Sequence, residues 1–308
     1  MARSCEMWHA KAAMPHDGQT ERTHALLGPA LMVLTMALYV ANDALVKRLG
    51  EALPLGGIIT LRGLMVITGM VLLLLLLPGH GPGAFRWVFR RAVLHRAAWD
   101  TTVTYFYLFA LLHMPIANVL AVMNLSPLVI LPLAAWRLGE RVSARDWVAV
   151  AIGLMGALLV VRPGPEGFNP WAISAFLAML GVAGRDIVTR ELPAGASSLA
   201  VALSNVLMIQ LVALPLWLVQ TGGAPALPTG GQWLMLAGAA LFLGAAYVLI
   251  VVVVRLAPLS ATSVWRYSIV LWGVLAGWLV FGEWPDVLTW LGIALIIAGS
   301  LHATLRRA

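Results

Sequence analysis

The sequence predicts an all-α membrane protein with ten transmembrane helices, arranged as two inverted five-helix repeats with both termini cytoplasmic. Three observations predict it. First, 61% of the 308 residues are hydrophobic and 11% are charged, with a mean hydropathy of +0.91. Soluble domains run about 45–50% apolar and about 25% charged, so a single water-soluble core could not hide this much apolar surface. Second, ten apolar segments approach the roughly 20 residues that a spanning helix needs. Third, distinctive residues recur at one offset of 143 positions.

The segments run Leu26–Val46, Pro54–Leu77, Ala97–His113, Ile116–Leu138, Ala144–Val161, Pro170–Thr189, Ser197–Val219, Gln232–Val254, Leu259–Phe281 and Val287–Thr304. The breaks between them hold turn-forming stretches such as "PGHGPG", "RPGPEG" and "TGGAPALPTG". Residues 1–25 read as a disordered tail, 26–168 as the first repeat and 169–308 as the second.

The repeat shows in pairs 143 residues apart: Asp43 and Asp186, Pro115 and Pro258, Gly139–Glu140 and Gly282–Glu283, Trp147 and Trp290, Gly156 and Gly299. Lys47 corresponds in kind to Arg190. An odd number of spans per repeat turns the second upside down relative to the first, an arrangement common in carriers. Topology also accounts for the net charge of +7, which in a soluble chain would raise nucleic-acid binding. With the N-terminus inside, fourteen Lys and Arg fall on the cytoplasmic side and three, Lys47, Arg48 and Arg162, on the other. Nucleic acid is therefore not an expected partner; the lipid bilayer is.

Charges inside spans are functional candidates by default, because burying them in hydrocarbon is costly. Arg266, about seven residues into the ninth segment in "TSVWRYSIV", reads as a cavity-facing cation for an anionic or π-rich solute. Trp265 and Tyr267 supply stacking surface. The competing readings are an intrabundle ion pair, with Asp100 as partner, and snorkelling to the headgroups. Arg62 is similarly deep, and its repeat equivalent Asn205 is also polar. Tyr105, Tyr107, Asn124 and Tyr247 are further lining candidates, each of which could instead bond a neighbouring helix. Asp43 with Lys47, and Asp186 with Arg190, stand at i, i+4 near helix ends. They read as structural pairs at the membrane edge, as gates, or as sites of proton coupling through either aspartate, and Arg185, beside Asp186, reads as a further edge residue. Glu140 and Glu283 read as architectural.

No HExxH, GxSxG, Walker or Cys/His pattern occurs, and Cys5 is the single cysteine. No catalytic residue, metal site or cofactor is expected.

Three stretches resemble a known family: "NDALVKRLG", "LSPLVILPLAAWRLGERVSARDWVAVAIGLMGALLV" and "IVLWGVLAGWLVFGEWPDVLTWLGIALIIAGS". They are similar to EamA-type transporters of the drug/metabolite transporter superfamily, and look closest to the branch of riboflavin and S-adenosylmethionine uptake carriers. The resemblance implies a central cavity lined by helices one to four and six to nine, with the fifth and tenth at the periphery. It implies secondary transport of a small organic metabolite across a bacterial inner membrane by alternating access. The alternatives are an intramembrane enzyme or a non-transporting membrane scaffold. The absence of an acid convincingly at the midplane favours facilitated diffusion or exchange over proton coupling.

Overall fold

The computed structural model describes residues 18–76, 85–126, 128–129, 144–161, 169–190, 192–193, 198–225, 227–256 and 264–305, and among these it is helical with no strand. The helices are α1 (Gly18–Leu49), α2 (Leu55–Leu76), α3 (Arg91–His113), α4 (Ile116–Met123), α5 (Ala144–Val161), α6 (Trp171–Arg190), α7 (Ser198–Gln220), α8 (Gly230–Leu256), α9 (Ser268–Phe281) and α10 (Val287–Leu305). A single turn, Phe85–Val88, precedes α3, and a 3-10 turn, Val264–Tyr267, precedes α9. α1 begins at Gly18, so part of the segment expected as a disordered tail is helical; residues 1–17 lie outside the described residues.

Five stretches are long and apolar enough to cross a membrane: Leu27–Leu49, Leu55–Leu72, Trp171–Thr189, Ala200–Gln220 and Gly230–Ile250. Shorter apolar helices cover Val150–Val160, Trp265–Phe281 and Val287–Gly299. The outer surface carries exposed Leu64, Leu75, Met155, Leu211, Leu241, Leu279 and Leu291. In water such a surface would aggregate; against lipid it costs nothing, because the backbone polar groups are satisfied within the helices. The chain is a multi-pass membrane protein.

Packing follows a two-fold rule. α1 lies along α8, and α3 along α6, and these two pairings are equivalents under the 143-residue spacing. α2 packs on α7, α4 on α9 and α5 on α10, each helix meeting its own equivalent. Lesser contacts obey the same rule: α3 with α7 mirrors α8 with α2, and α1 with α9 mirrors α6 with α4. Each helix thus finds its main neighbour in the other half, and neither half buries its faces alone.

The two fourth-position segments change form at one equivalent point. α4 stops at Asn124, and Tyr267, 143 residues later, ends the 3-10 turn before α9. α9 itself ends on Gly282 in the left-handed region, φ +68°. The Glu283 N–H then donates to the Gly277 carbonyl at 2.9 Å, and the Gly282 N–H to that of Trp278 at 3.1 Å. Such a cap suits glycine, which has no Cβ to clash. It turns the chain back and aims Glu283 inward. The equivalent Gly139–Glu140 lies outside the described residues.

α5 and α10 cross through Gly156 and Gly292. A Cβ added at either would sit 2.6 Å from the other's carbonyl oxygen. That obstacle is backbone and cannot rotate away. Gly156→Leu is therefore expected to cost about 1–3 kcal/mol by overpacking. Unfolding of the variant in detergent checks this, and wild-type stability would mean that the helices do not meet there.

Candidate functional site

A cavity of about 330 Å³ lies where the two halves meet. It draws Tyr39, Asn42 and Asp43 from α1, Ile59 and Arg62 from α2, and Asp100 and Tyr107 from α3. Leu120 and Met123 come from α4, Arg185 from α6, Gln210 from α7, Leu243 and Tyr247 from α8, and Ile269 from α9. No described residue of α5 or α10 lines it.

In the first half, the Arg62 guanidinium donates from Nη1 to Asn42 Oδ1 at 2.9 Å. Asn42 in turn donates from Nδ2 to Asp43 Oδ1 at 3.0 Å. The Tyr107 hydroxyl donates to Asp43 Oδ2. Arg62, Asn42 and Asp43 are all buried. One α1 face carries Tyr39, Asn42 and Asp43 because positions three and four apart point the same way on a helix.

In the second half, Asp100 is the hub. Its Oδ1 accepts from Arg185 Nη1 at 3.0 Å, and its Oδ2 accepts from Asn205 Nδ2 at 2.5 Å and from Arg96 Nη1 at 3.3 Å. Arg185 also donates from Nε and Nη2 to Asp186 Oδ1, at 3.0 and 2.9 Å. Tyr247 sits edge-on to Tyr39, with ring centroids 6.1 Å apart.

A third cluster lies at the C-terminal ends of α1 and α9. Lys47 Nζ donates to Glu283 Oε1 at 2.6 Å and to the Met114 carbonyl at 2.8 Å. Glu283 Oε2 accepts the N–H of Ile116, the first residue of α4, at 3.3 Å. A carboxylate at a helix N-terminus satisfies an otherwise orphaned donor and meets the positive end of the dipole. One carboxylate thus ties α9 of the second half to α1 and α4 of the first.

Several sequence expectations need correction. Asp43 does not pair with Lys47 at the membrane edge: it is buried in the cavity wall, and Lys47 reaches Glu283 instead. Asp186 pairs with Arg185; the Arg190 side chain lies outside the described residues. Arg266 stands in the 3-10 turn that leads directly into α9, exposed, beside an exposed Trp265 and a buried Tyr267, and none of the three lines the cavity. Asp100 does not serve Arg266, because its two oxygens are taken by Arg185, Asn205 and Arg96. Tyr105 donates to the Ile209 carbonyl at 3.2 Å, joining α3 to α7, and Asn124 Nδ2 donates to the Leu120 carbonyl at 2.7 Å. Neither residue lines the cavity, whereas Arg62, Asp100 and Tyr247 do.

Sequence reading passed over Tyr39, Asn42 and Gln210, and placed Arg185 at the membrane edge. One signal was present for two of these: Asn42 and Arg185 are 143 residues apart, so both repeats carry a polar residue just before the equivalent aspartates.

Comparison with known proteins places the chain. It matches the EamA-like transporter family over residues 26–162 and again over 169–305. A pseudopaline exporter of Pseudomonas aeruginosa is 26% identical over 278 residues, which covers 89% of this chain and 94% of that protein. A riboflavin transporter of Brucella anthropi is 27% identical over 280 residues, covering 88% and 96%. An S-adenosylmethionine uptake transporter of Rickettsia felis is 26% identical over 195 residues, covering 61% and 62%. A solved crystal structure shares the fold at a TM-score of 0.57 and 21% identity, over 93% of this chain and 98% of that one. With the family matched across most of its length, this chain belongs to the EamA-like transporters and is a membrane transporter.

Proposed function

We propose that the chain is a secondary transporter moving a small organic metabolite across the bacterial inner membrane by alternating access. Ten helices span the bilayer as two inverted five-helix repeats, residues 26–168 and 169–308, with both termini cytoplasmic. The observation that carries this reading is the cavity at the junction of the halves, with Asp43, Arg62, Asp100 and Arg185 in its wall. A membrane scaffold needs no such polar chamber, and charges this expensive persist where they serve a solute path. The relatives carry small metabolites, and a two-fold interface lets one half rock against the other around a shared centre.

In this topology the Lys47–Glu283–Ile116 cluster closes the periplasmic end of the cavity. Lys47→Met is expected to release it and to raise outward opening about tenfold, a shift of about 1.4 kcal/mol. The readout is a Met123→Cys probe in the cavity wall, with Cys5→Ser as background, labelled from outside by an impermeant maleimide. Equal labelling rates with and without Lys47 would remove the cluster from gating.

The function itself is tested by flux into proteoliposomes across a metabolite panel, against protein-free vesicles. Flux no greater than the control for every solute, from folded protein, counts against transport. Energy coupling is read in the same vesicles. Facilitated diffusion or exchange predicts that collapsing the proton gradient leaves flux unchanged. Loss of flux would instead point to Asp43 or Asp100, the two carboxylates in the cavity wall among the described residues.

A further inference from the structure

The connection between α2 and α3 collects cations that the cavity does not use. Between Glu51 and Asp100 the sequence holds no acidic residue, while Arg86, Arg90, Arg91 and Arg96 follow in close succession. Arg96 is committed to Asp100 and to Thr189. Arg86, Arg90 and Arg91 are exposed, and among the described residues none of the three enters an ion pair. His95, one turn beyond Arg91 on the same face of α3, is exposed as well.

Packing sets the depth of this patch. The turn Phe85–Val88 is pinned by Val88, which is 1% exposed and belongs to one apolar cluster with Val66 and Met70 of α2 and Ala200 and Leu203 of α7. Met70 nearly closes the apolar stretch Leu55–Leu72, and Ala200 opens the stretch Ala200–Gln220. The turn therefore lies at the edge of both spans, where hydrocarbon gives way to headgroups. Trp87 is half-buried against the same cluster. The Arg90 guanidinium stands over its ring, 5.3 Å from the centroid, and the Arg90 N–H donates to the Trp87 carbonyl at 3.1 Å. Stacking and backbone, rather than an anion, hold this cation in place. Phe89, between the arginines, is 71% exposed. An apolar ring among three unpaired guanidinia is poorly suited to water. At a membrane boundary the ring enters the acyl layer and the guanidinia meet phosphates.

We infer that Arg86, Arg90 and Arg91, together with Phe89, seat the headgroup of an anionic phospholipid. The inference rests on the membrane class of the chain and not on the carrier reading. A guanidinium presents paired donors that match two phosphate oxygens. A zwitterionic headgroup brings its own ammonium and leaves the three cations unneutralised, whereas an anionic one supplies the missing charge. Free phosphate would satisfy the guanidinia and leave Phe89 in water, which favours the lipid. A lipid held here also clamps the turn onto α2 and α7, so it stabilises the folded chain by mass action.

Native mass spectrometry of the full chain in detergent, titrated with phosphatidylglycerol and separately with phosphatidylcholine of the same acyl chains, reads the seat. Wild type is expected to bind phosphatidylglycerol at least about tenfold more tightly and to melt higher with it. Arg86→Gln, Arg90→Gln and Arg91→Gln together are expected to abolish that preference while leaving the melting temperature in lipid-free detergent unchanged. Should this variant melt lower, Arg86→Gln with Arg91→Gln, which spares the stack on Trp87, carries the comparison with a loss of at least about threefold. Phe89→Ser is expected to weaken phosphatidylglycerol binding to a similar degree. Removing three cations elsewhere, by Arg3→Gln, Lys11→Gln and Arg22→Gln, is expected to leave the preference intact. Equal loss in that control overturns the seat in favour of diffuse charge, and so does a wild type without preference. Displacement of the lipid by millimolar inorganic phosphate, or indifference to Phe89→Ser, overturns the lipid assignment and makes the patch a site for free phosphate.

Discussion

Replacing Asp100 by alanine is expected to destabilise the protein by about 3–5 kcal/mol, the usual cost of removing one partner from a buried ion pair. Asp100 accepts from Arg185, Arg96 and Asn205, and its side chain is 15% exposed. Without it, Arg185 keeps Asp186, but its Nη1 loses its acceptor and the cluster carries an unmatched positive charge. Arg96 keeps a second acceptor, donating from Nε to Thr189 Oγ1 at 2.8 Å, so the loss falls mainly on Arg185. The control is Asp100→Leu combined with Arg185→Met. Removing both charges is expected to recover most of the loss, because apolar replacements of a buried pair are often neutral or better. Reversible unfolding in detergent or bicelles measures both variants. A loss of less than about 0.5 kcal/mol in Asp100→Ala would show that this cluster is solvated like a surface pair.

Arg62→Met is expected to show the opposite signature. Arg62 makes no direct ion pair among the described residues, its link to Asp43 passing through the Asn42 amide, so its removal relieves a desolvation cost at the expense of a longer-range attraction to Asp43, and stability is expected to fall much less than in Asp100→Ala. Solute binding suffers instead. Removing one partner of a desolvated charge pair costs about 2–5 kcal/mol, which is roughly thirty- to several-thousand-fold in affinity. Arg62→Lys is expected to recover little, since an ammonium lacks the planar fork. The measurement is the Kd of the panel solute with the fastest uptake, beside the melting temperature without solute. A variant that melts lower and binds normally would make Arg62 a helix-packing residue.

The contrast between Asp100 and Arg62 also shows where sequence reasoning reached and where it stopped. Both residues were singled out, because a charge inside an apolar run is conspicuous on cost alone. Their roles were not legible. Asp100 was matched to Arg266 because both lie toward the cytoplasmic side, whereas in the structure its oxygens accept from Arg185, Asn205 and Arg96. Asp43 was matched to Lys47 because they stand four residues apart on one helix, a spacing that permits contact without requiring it. Lys47 found Glu283, more than two hundred positions away, at 2.6 Å. Arg185 was set aside as an edge residue, yet it shares the cavity wall with Arg62.

By itself the sequence determined the membrane class, the helical content and the duplicated pattern, because composition and spacing are properties of the chain before it folds. It also determined the family, since the motifs are local strings. Only the tertiary structure decided which charges neutralise one another. That depends on which helix faces meet, and here each helix meets its main partner in the opposite half of the chain. In a low-dielectric bundle the pairing of a charge sets its role. Asp100 is tied into a network and holds helices together, whereas Arg62 meets only the amide of Asn42 and leaves its Nε without a partner.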